Sequence, residues 1–138
     1  MRKIYSNQDP ELLCHLIVRK EDIISERLNV IDPDQYLQLA VMKLNKGKTF
    51  NAHKHNQHED YVEEDRRAQE SWVVISGEVQ VMYYDLNGKY IKSDILYPGD
   101  ASITLMGGHN YLILEDDTIV YEFKTGPYEG QVKDKEFI

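Results

Sequence analysis

Short segments of alternating polar and apolar residues, separated by turn signals about every ten residues, dominate the chain from residue 36 onward. Such spacing is typical of strands in a sandwich or barrel, since amphipathic helices need longer segments with a period of about 3.6 residues. The pattern therefore predicts an all-β fold. The predicted strands are 36–44, 71–75, 78–83, 89–96, 101–106, 111–114 and 118–124.

Two of these segments, 78–83 and 118–124, show the strand period most clearly, because every second residue is apolar or aromatic. Between the first of them and the next strand lies Asn-Gly at 87–88, a pair that favours a hairpin because a type I′ turn needs positive φ at both central positions. The residues expected to share a face are Val79, Val81 and Tyr83 in the first segment, and Ile119, Tyr121 and Phe123 in the second.

The length of 138 residues fits a single domain. We divide it into an N-terminal segment (1–35), a barrel core (36–125) and a C-terminal tail (126–138). Residues 12–18 fit either a strand or a helix, and helix is otherwise expected only near the N-terminus and in the acidic stretch 57–65. The single cysteine, Cys14, excludes an internal disulfide and is expected to be a buried, inert thiol.

The net charge of the chain limits the kinds of molecule that it is expected to bind. The chain has 24 acidic and 16 basic residues, a formal net charge of −8, whereas nucleic-acid binding generally needs clustered positive charge. The N-terminus shows no signal peptide, and no segment approaches the roughly 20 apolar residues of a membrane helix. We expect a soluble, cytoplasmic protein that binds a small molecule, with neither nucleic acid nor a membrane as partner.

His53-Lys54-His55 is the first candidate site. In a strand, residues two apart point to the same face, so both imidazoles can converge on one point. Neutral imidazole suits Zn, Cu, Fe and Ni, and an added carboxylate widens the choice to Mn and Fe(II). Two nearby histidines alone are more often exposed polar residues than ligands, so the hypothesis depends on the residues around them.

The order of the surrounding residues supports a metal site. Gly47 precedes the histidines, Glu70 opens an apolar strand that is followed by Gly77, and Pro98-Gly99-Asp100 leads to Gly107-Gly108-His109. This order resembles the two motifs of the cupin superfamily and spans roughly residues 47–124. The resemblance implies a jelly-roll barrel, or double-stranded β-helix, holding one divalent metal ion (Fe, Mn, Ni or Zn). The ligands it implies are His53, His55, Glu70 and His109.

The chain departs from the family pattern at two places. Fourteen residues, 56–69, separate His55 from Glu70, whereas family members have only a few there. Glu59 has the usual short spacing, but no strand surrounds it, so we prefer Glu70 and interpret 56–69 as an inserted loop. In the second motif Leu105 or its neighbour replaces the customary proline, and one residue is missing before His109, which leaves its exact position open.

The C-terminal residues 122–128 and 134–137, with Gly108-His109 and 114–116, resemble small cupins of the WbuC-like type. That group is associated with surface-polysaccharide and sugar-nucleotide pathways. The resemblance therefore implies carbohydrate metabolism as the context, and related small cupins imply a homodimer.

Three functions remain open. The first is a metal-dependent enzyme, an isomerase, epimerase or dioxygenase, acting on a small sugar-related or organic-acid substrate. The second is a non-enzymatic metal- or sugar-binding module, and the third is a metal-free epimerase that uses His53, His55 and His109. No acid–base residue can be assigned, although tyrosines and Glu78 are available. Trp72 either lines the cavity or packs in the core, His58 is interpreted as a surface residue, and His15 has no partner in the sequence.

Overall fold

The computed structural model describes residues 1–56, 68–128 and 130–138. These residues form twelve strands, one 3₁₀ helix and one short α-helix. In chain order the elements are β1 (Arg2–Tyr5), β2 (Leu13–Ile17), the 3₁₀ helix (Lys20–Asp22), β3 (Arg27–Asn29), β4 (Leu37–Leu44), β5 (His53–His55), β6 (Glu70–Ser76), β7 (Val79–Tyr84), β8 (Tyr90–Leu96), β9 (Ala101–Thr104), β10 (Gly108–Ile113), β11 (Thr118–Thr125), α1 (Gln131–Asp134) and β12 (Lys135–Phe137).

Two five-stranded antiparallel sheets make the body of the fold. Sheet I has the order β12-β5-β10-β7-β8, and sheet II has the order β3-β4-β11-β6-β9, while β1 and β2 form a separate hairpin. The prediction of an all-β fold is confirmed. Both sheets extend beyond residues 36–125, because β3 joins one edge of sheet II and β12 joins the matching edge of sheet I.

The predicted strands are found, with boundaries that shift by a few residues. The ambiguous segment 12–18 contains β2, a strand. The tail contains α1, which was not predicted, and the acidic stretch 57–65 falls entirely outside the described residues. Among the described residues, no helix combines the length and apolar character needed to span a membrane.

An apolar cluster fills one half of the space between the sheets. The rings of Trp72 and Tyr111 stack there with centroids 3.9 Å apart, and Val79 and Val81 face inward as the strand period predicted. Burial of such side chains contributes about 25 cal/mol per Å² of apolar surface, so this cluster stabilises the fold. Its other members are Met42, Leu44, Val74, Leu96, Ile113 and Val120.

A second apolar cluster lies on the outside of sheet II. Ile119 packs there with Val41, and the N-terminal segment covers them with Ile23 and Val30. The shared face predicted for Ile119 and the aromatic residues of β11 is therefore this outer face. The opposite face of β11, which points into the barrel, carries Val120, Glu122 and Lys124.

Cys14 is exposed, so the expectation of a buried thiol was wrong. It lies on β2, which pairs only with β1, and its immediate neighbours Leu13 and His15 are exposed as well. The hairpin therefore places this part of β2 outside both apolar clusters.

Gly107 fixes the entry of the chain into β10. Its φ is +81°, and a Cβ at this position would lie 2.5 Å from the carbonyl oxygen of Tyr84, closer than side-chain atoms can approach. Only glycine allows this turn against β7, and the turn delivers His109 to the second position of β10.

Candidate metal centre

The four predicted ligands come together inside the barrel. One donor atom from each of His53, His55, Glu70 and His109 can be chosen so that all lie within 4.8 Å of one another. The four residues are buried, with 4%, 4%, 3% and 0% of their surfaces exposed, respectively. Among the described residues, the structure brings Glu70 to the three histidines. Glu59 and His58 lie outside the described residues.

Three strands position these side chains. His53 and His55 share the inner face of β5, with Lys54 between them on the other face. In the next strand of sheet I, β10, His109 pairs directly with His53, and their ring centroids are 4.7 Å apart. Glu70 is the first residue of β6 and approaches from sheet II. The candidate site therefore bridges the two sheets.

Each of the three imidazoles contacts a polar group through its Nδ1 atom. His53 Nδ1 donates to the carbonyl oxygen of Asn51 at 2.8 Å, and His109 Nδ1 is hydrogen-bonded to the Thr104 hydroxyl at 2.7 Å. His55 Nδ1 lies 3.5 Å from Asp134 Oδ2. Contacts of this kind fix the orientation of histidine ligands and leave Nε2 for a metal ion.

The Nε2 atoms and Glu70 approach one another without being hydrogen-bonded. His55 Nε2 is 3.3 Å from Glu70 Oε2, and His109 Nε2 is 3.1 Å from Glu70 Oε1. Five buried atoms nevertheless have no hydrogen-bond partner among the described residues: His53 Nε2, His55 Nδ1 and Nε2, Glu70 Oε2 and His109 Nε2. His55 Nδ1 faces Asp134, but the other four atoms belong to the clustered ligands. Since a buried polar atom left unsatisfied costs about 1–3 kcal/mol, these four fit a shared cation that would serve as their missing partner.

The ionisation states of His53 and Glu70 favour cation binding as well. Burial, reinforced by the positive charge of Lys135, lowers the pKa of His53 to about 4, so this imidazole is neutral near pH 7. Burial alone would raise the pKa of Glu70, but contacts with His109 and His55 hold it well below its ordinary value. Burial disfavours the charged form of His55, yet the carboxylates of Asp134 and Glu70 outweigh this and raise its pKa.

Asp134 is a site residue that sequence reasoning did not identify. It ends α1, is buried, and accepts a hydrogen bond from Lys124 Nζ at 2.7 Å while it contacts His55. Burial would raise its pKa, but His55 and Lys124 lower it to about 2, so the group is a carboxylate. The residue reaches the site because β12 pairs with β5, with Lys135 opposite His55. No local pattern around residue 134 indicates that pairing.

Glu122 forms a second charged cluster next to the apolar core. Its carboxylate is paired with Arg27, Nη2 to Oε1 at 2.5 Å, and accepts a hydrogen bond from Trp72 Nε1 at 3.1 Å. Trp72 thus packs in the core, which is one of the two alternatives considered for it, and its indole N–H also binds a buried carboxylate. Tyr111 stays protonated, since burial raises the pKa of its hydroxyl well above the ordinary value.

A cavity of about 510 Å³ lies beside the site, at the edge where β3 and β12 face each other. Its wall includes Arg27, Glu122, Lys124 and Lys135. A wider groove of about 850 Å³ lies on the outside of the barrel, next to the 3₁₀ helix and the β4 turn, and touches none of the four candidate ligands. None of the four candidate ligands lines the first cavity either, but two residues of its wall pair directly with ligands on neighbouring strands: Lys124 with Glu70, and Lys135 with His55. The first cavity is therefore the better candidate for a substrate site.

Comparison with known proteins identifies the fold. No protein-family model matches the sequence, and no curated protein matches it either. Among solved structures, KdgF from Halomonas sp. is 25% identical, with 72% of this chain and 76% of KdgF covered and a TM-score of 0.52. An uncharacterized conserved protein with a double-stranded β-helix domain from Klebsiella pneumoniae is 14% identical, with 97% and 96% covered and a TM-score of 0.62.

The capsular polysaccharide assembling protein CapF from Staphylococcus aureus is a third similar structure, 16% identical, with 81% of this chain covered and a TM-score of 0.59. The chain spans only 34% of CapF, so the likeness concerns one part of that longer protein. Together these structures show that the chain has the double-stranded β-helix fold of the cupins.

Proposed function

We propose that this small cupin binds one divalent metal ion through His53, His55, Glu70 and His109. The observation that supports this most directly is the set of four buried atoms, one from each ligand, that lack hydrogen-bond partners: three Nε2 atoms and Glu70 Oε2. Three imidazole nitrogens with one carboxylate suit Fe(II), Mn, Ni or Zn better than Mg or Ca, which prefer oxygen ligands. Asn51, Thr104 and Asp134 would hold the imidazoles in place.

We further propose that the protein acts on a small sugar-related or organic-acid substrate in carbohydrate metabolism. The likeness to the capsular polysaccharide assembling protein CapF, the WbuC-like character of the tail and a polar cavity beside the ligands support this choice. A bound divalent ion would supply Lewis-acid polarisation of a substrate oxygen. The surrounding residues orient the imidazoles and leave the four ligands almost inaccessible to solvent.

A non-enzymatic binding module is the second candidate function, and one observation favours it. Asp134, which contacts His55, is paired with Lys124, and Glu122, which lines the cavity, is paired with Arg27. Neither is free to act as a general base, and the four candidate ligands are nearly inaccessible to solvent. The third hypothesis, a metal-free histidine epimerase, draws on the contact of His55 with two carboxylates.

The metal content of the purified protein, measured by elemental mass spectrometry without a histidine tag, tests the proposal. We expect close to one equivalent of Fe, Mn, Ni or Zn, and its loss in His53→Ala and in His109→Ala. His15→Ala is the matched control, because His15 is exposed and lies on the β1–β2 hairpin, outside the two sheets that carry the ligands. Wild-type protein that takes up no metal, even after reconstitution, would exclude the metal centre and favour the epimerase or an empty binding module.

The proposal also includes a homodimer, by analogy with related small cupins. Size-exclusion chromatography with light scattering tests it directly. A single species near the monomer mass of 16.2 kDa would contradict it.

A further inference from the structure

The cavity beside the ligand set has a charge opposite to that of the protein as a whole. The chain has a formal net charge of −8, yet the side chains that line the cavity include three cations, Arg27, Lys124 and Lys135, and one carboxylate, Glu122. Charges of one sign that line a low-dielectric cavity focus the local potential and attract ions of the other sign. This cavity therefore favours an anion.

The three cations differ in their partners. Arg27 is paired with Glu122, and Lys124 is paired with Asp134 and lies 4.1 Å from the ring centroid of Tyr128. Lys135 is half-buried and, in the described ranges 1–56, 68–128 and 130–138, no carboxylate lies within ion-pair distance of it. A partly buried ammonium group without a partner is costly, and an anionic ligand would remove that cost.

The strand pairing of Lys135 defines the face to which its side chain points. It pairs with His55 across the β12–β5 ladder, and directly paired residues place their side chains on the same face with Cβ atoms about 5 Å apart. Lys124 pairs in the same way with Glu70 across the β11–β6 ladder. The positive charge of Lys135 contributes to the lowered pKa of His53, in agreement with this placement. An anion held by Lys135 would therefore lie next to the ligand set.

The remaining wall suits hydroxyl groups and a sugar-like ring. It presents side-chain amides from three separate elements, which can donate to and accept from hydroxyls, and two aromatic rings that can cover an apolar face. A volume of about 510 Å³ is large enough for a small ring with its substituents. The amides are those of Asn29, Gln38 and Gln131, and the rings are those of Phe50 and Tyr128.

We propose that this cavity binds a small hydroxylated carboxylate, and that Lys135 forms the ion pair with its carboxylate group. The inference deepens the proposed function, on which it rests for the approach of the substrate to a metal ion. The pairing with Lys135 itself does not need the metal. Lys135 was not among the candidate residues from the sequence, because its position depends on the β12–β5 pairing.

A matched pair of probes tests the charge requirement: D-glucuronate and D-glucose, which differ by a carboxylate in place of a hydroxymethyl group. Their affinities are measured by NMR titration of the zinc-loaded and of the metal-free protein. We expect glucuronate to bind at least about tenfold more tightly than glucose, to lose this advantage in Lys135→Met, and to keep most of it in Lys135→Arg. Lys92→Met, which removes an exposed charge from β8, is the control that should keep it.

Equal affinity for the two probes, binding of neither, or a preference that survives Lys135→Met would overturn the inference. Loss of the preference in Lys135→Arg as well as in Lys135→Met would overturn the role of charge. The metal content of each variant separates this result from the metal proposal. Wild-type protein that binds no metal but prefers glucuronate through Lys135 would support the anion site and contradict the metal centre. Wild-type protein that binds metal but shows no preference for glucuronate would support the metal centre and contradict the anion site.

Discussion

The interior of the barrel consists of an apolar half and a polar half, which differ in how their buried atoms are satisfied. In the apolar half, Trp72 stacks on Tyr111 among aliphatic side chains, and burial of that surface stabilises the fold. In the polar half, His53, His55 and Glu70 are equally buried, but several of their atoms have no hydrogen-bond partner. The difference shows that the first half accounts for folding, while the second is a site kept at a cost in stability that a bound cation would offset.

The largest effect is expected in the apolar half. Trp72→Ala should lower the free energy of unfolding by about 3–5 kcal/mol, because it removes a fully buried aromatic side chain and leaves a cavity. The loss should be similar with and without metal. Urea denaturation of both forms measures it. A decrease in the free energy of unfolding below about 1 kcal/mol would contradict the view that the apolar half accounts for the stability of the fold.

Metal should stabilise through the polar half alone. At a free zinc concentration about a thousandfold above its Kd, the free energy of unfolding should rise by about 4 kcal/mol. Glu70→Gln should remove most of this gain, since it replaces the one carboxylate ligand with an amide of the same shape. Glu78→Gln, in the turn between β6 and β7, serves as the control. Equal gains in both variants would contradict the role of Glu70.

Asp134→Asn should weaken zinc binding by about 10- to 100-fold, because the carboxylate orients His55 and increases its basicity. The variant also leaves Lys124 without its partner, so stability without metal should fall separately. Competition with a fluorescent chelator gives the affinity, and Asp94→Asn, an exposed carboxylate on β8, is the control. An unchanged Kd would show that Asp134 is only a structural ion-pair partner.

The smallest effect is expected at Thr104. Thr104→Val keeps the shape of the side chain but removes the hydroxyl that is hydrogen-bonded to His109 Nδ1. We expect zinc affinity to fall by less than about tenfold, which corresponds to a net hydrogen bond of about 1 kcal/mol. The same chelator assay measures it. A loss of zinc affinity as large as that of Asp134→Asn would contradict the expectation that a neutral hydroxyl at His109 matters less than a carboxylate at His55.

Local patterns were enough to predict much of the fold, and the resemblance to the cupin motifs gave the four candidate ligands. Strand period placed Val79 and Val81 inside the barrel, and the order of the motifs selected Glu70 despite the long spacing from His55. Each of these inferences rests on residues that lie close together in the sequence or on a motif with a fixed order. The metal itself remains a prediction.

The inward charged residues could not be predicted in that way. Glu122 and Lys124 alternate with apolar residues on β11, and a charged face normally points to solvent, so the period alone suggests the wrong side. They face inward because the N-terminal segment covers the opposite face of the strand. Asp134 and Lys135 depend likewise on a pairing between distant segments, which no local pattern encodes.

The position of β5 has a consequence for how fast the candidate site can form. This strand is only three residues long, and both of its partners, β10 and β12, come much later in the chain. The two histidines are thus ordered by long-range closure and not by a local hairpin, a topology in which folding takes milliseconds to seconds. A metal ion would meet its complete set of ligands only after the barrel has closed. It should therefore slow unfolding and leave the folding rate nearly unchanged.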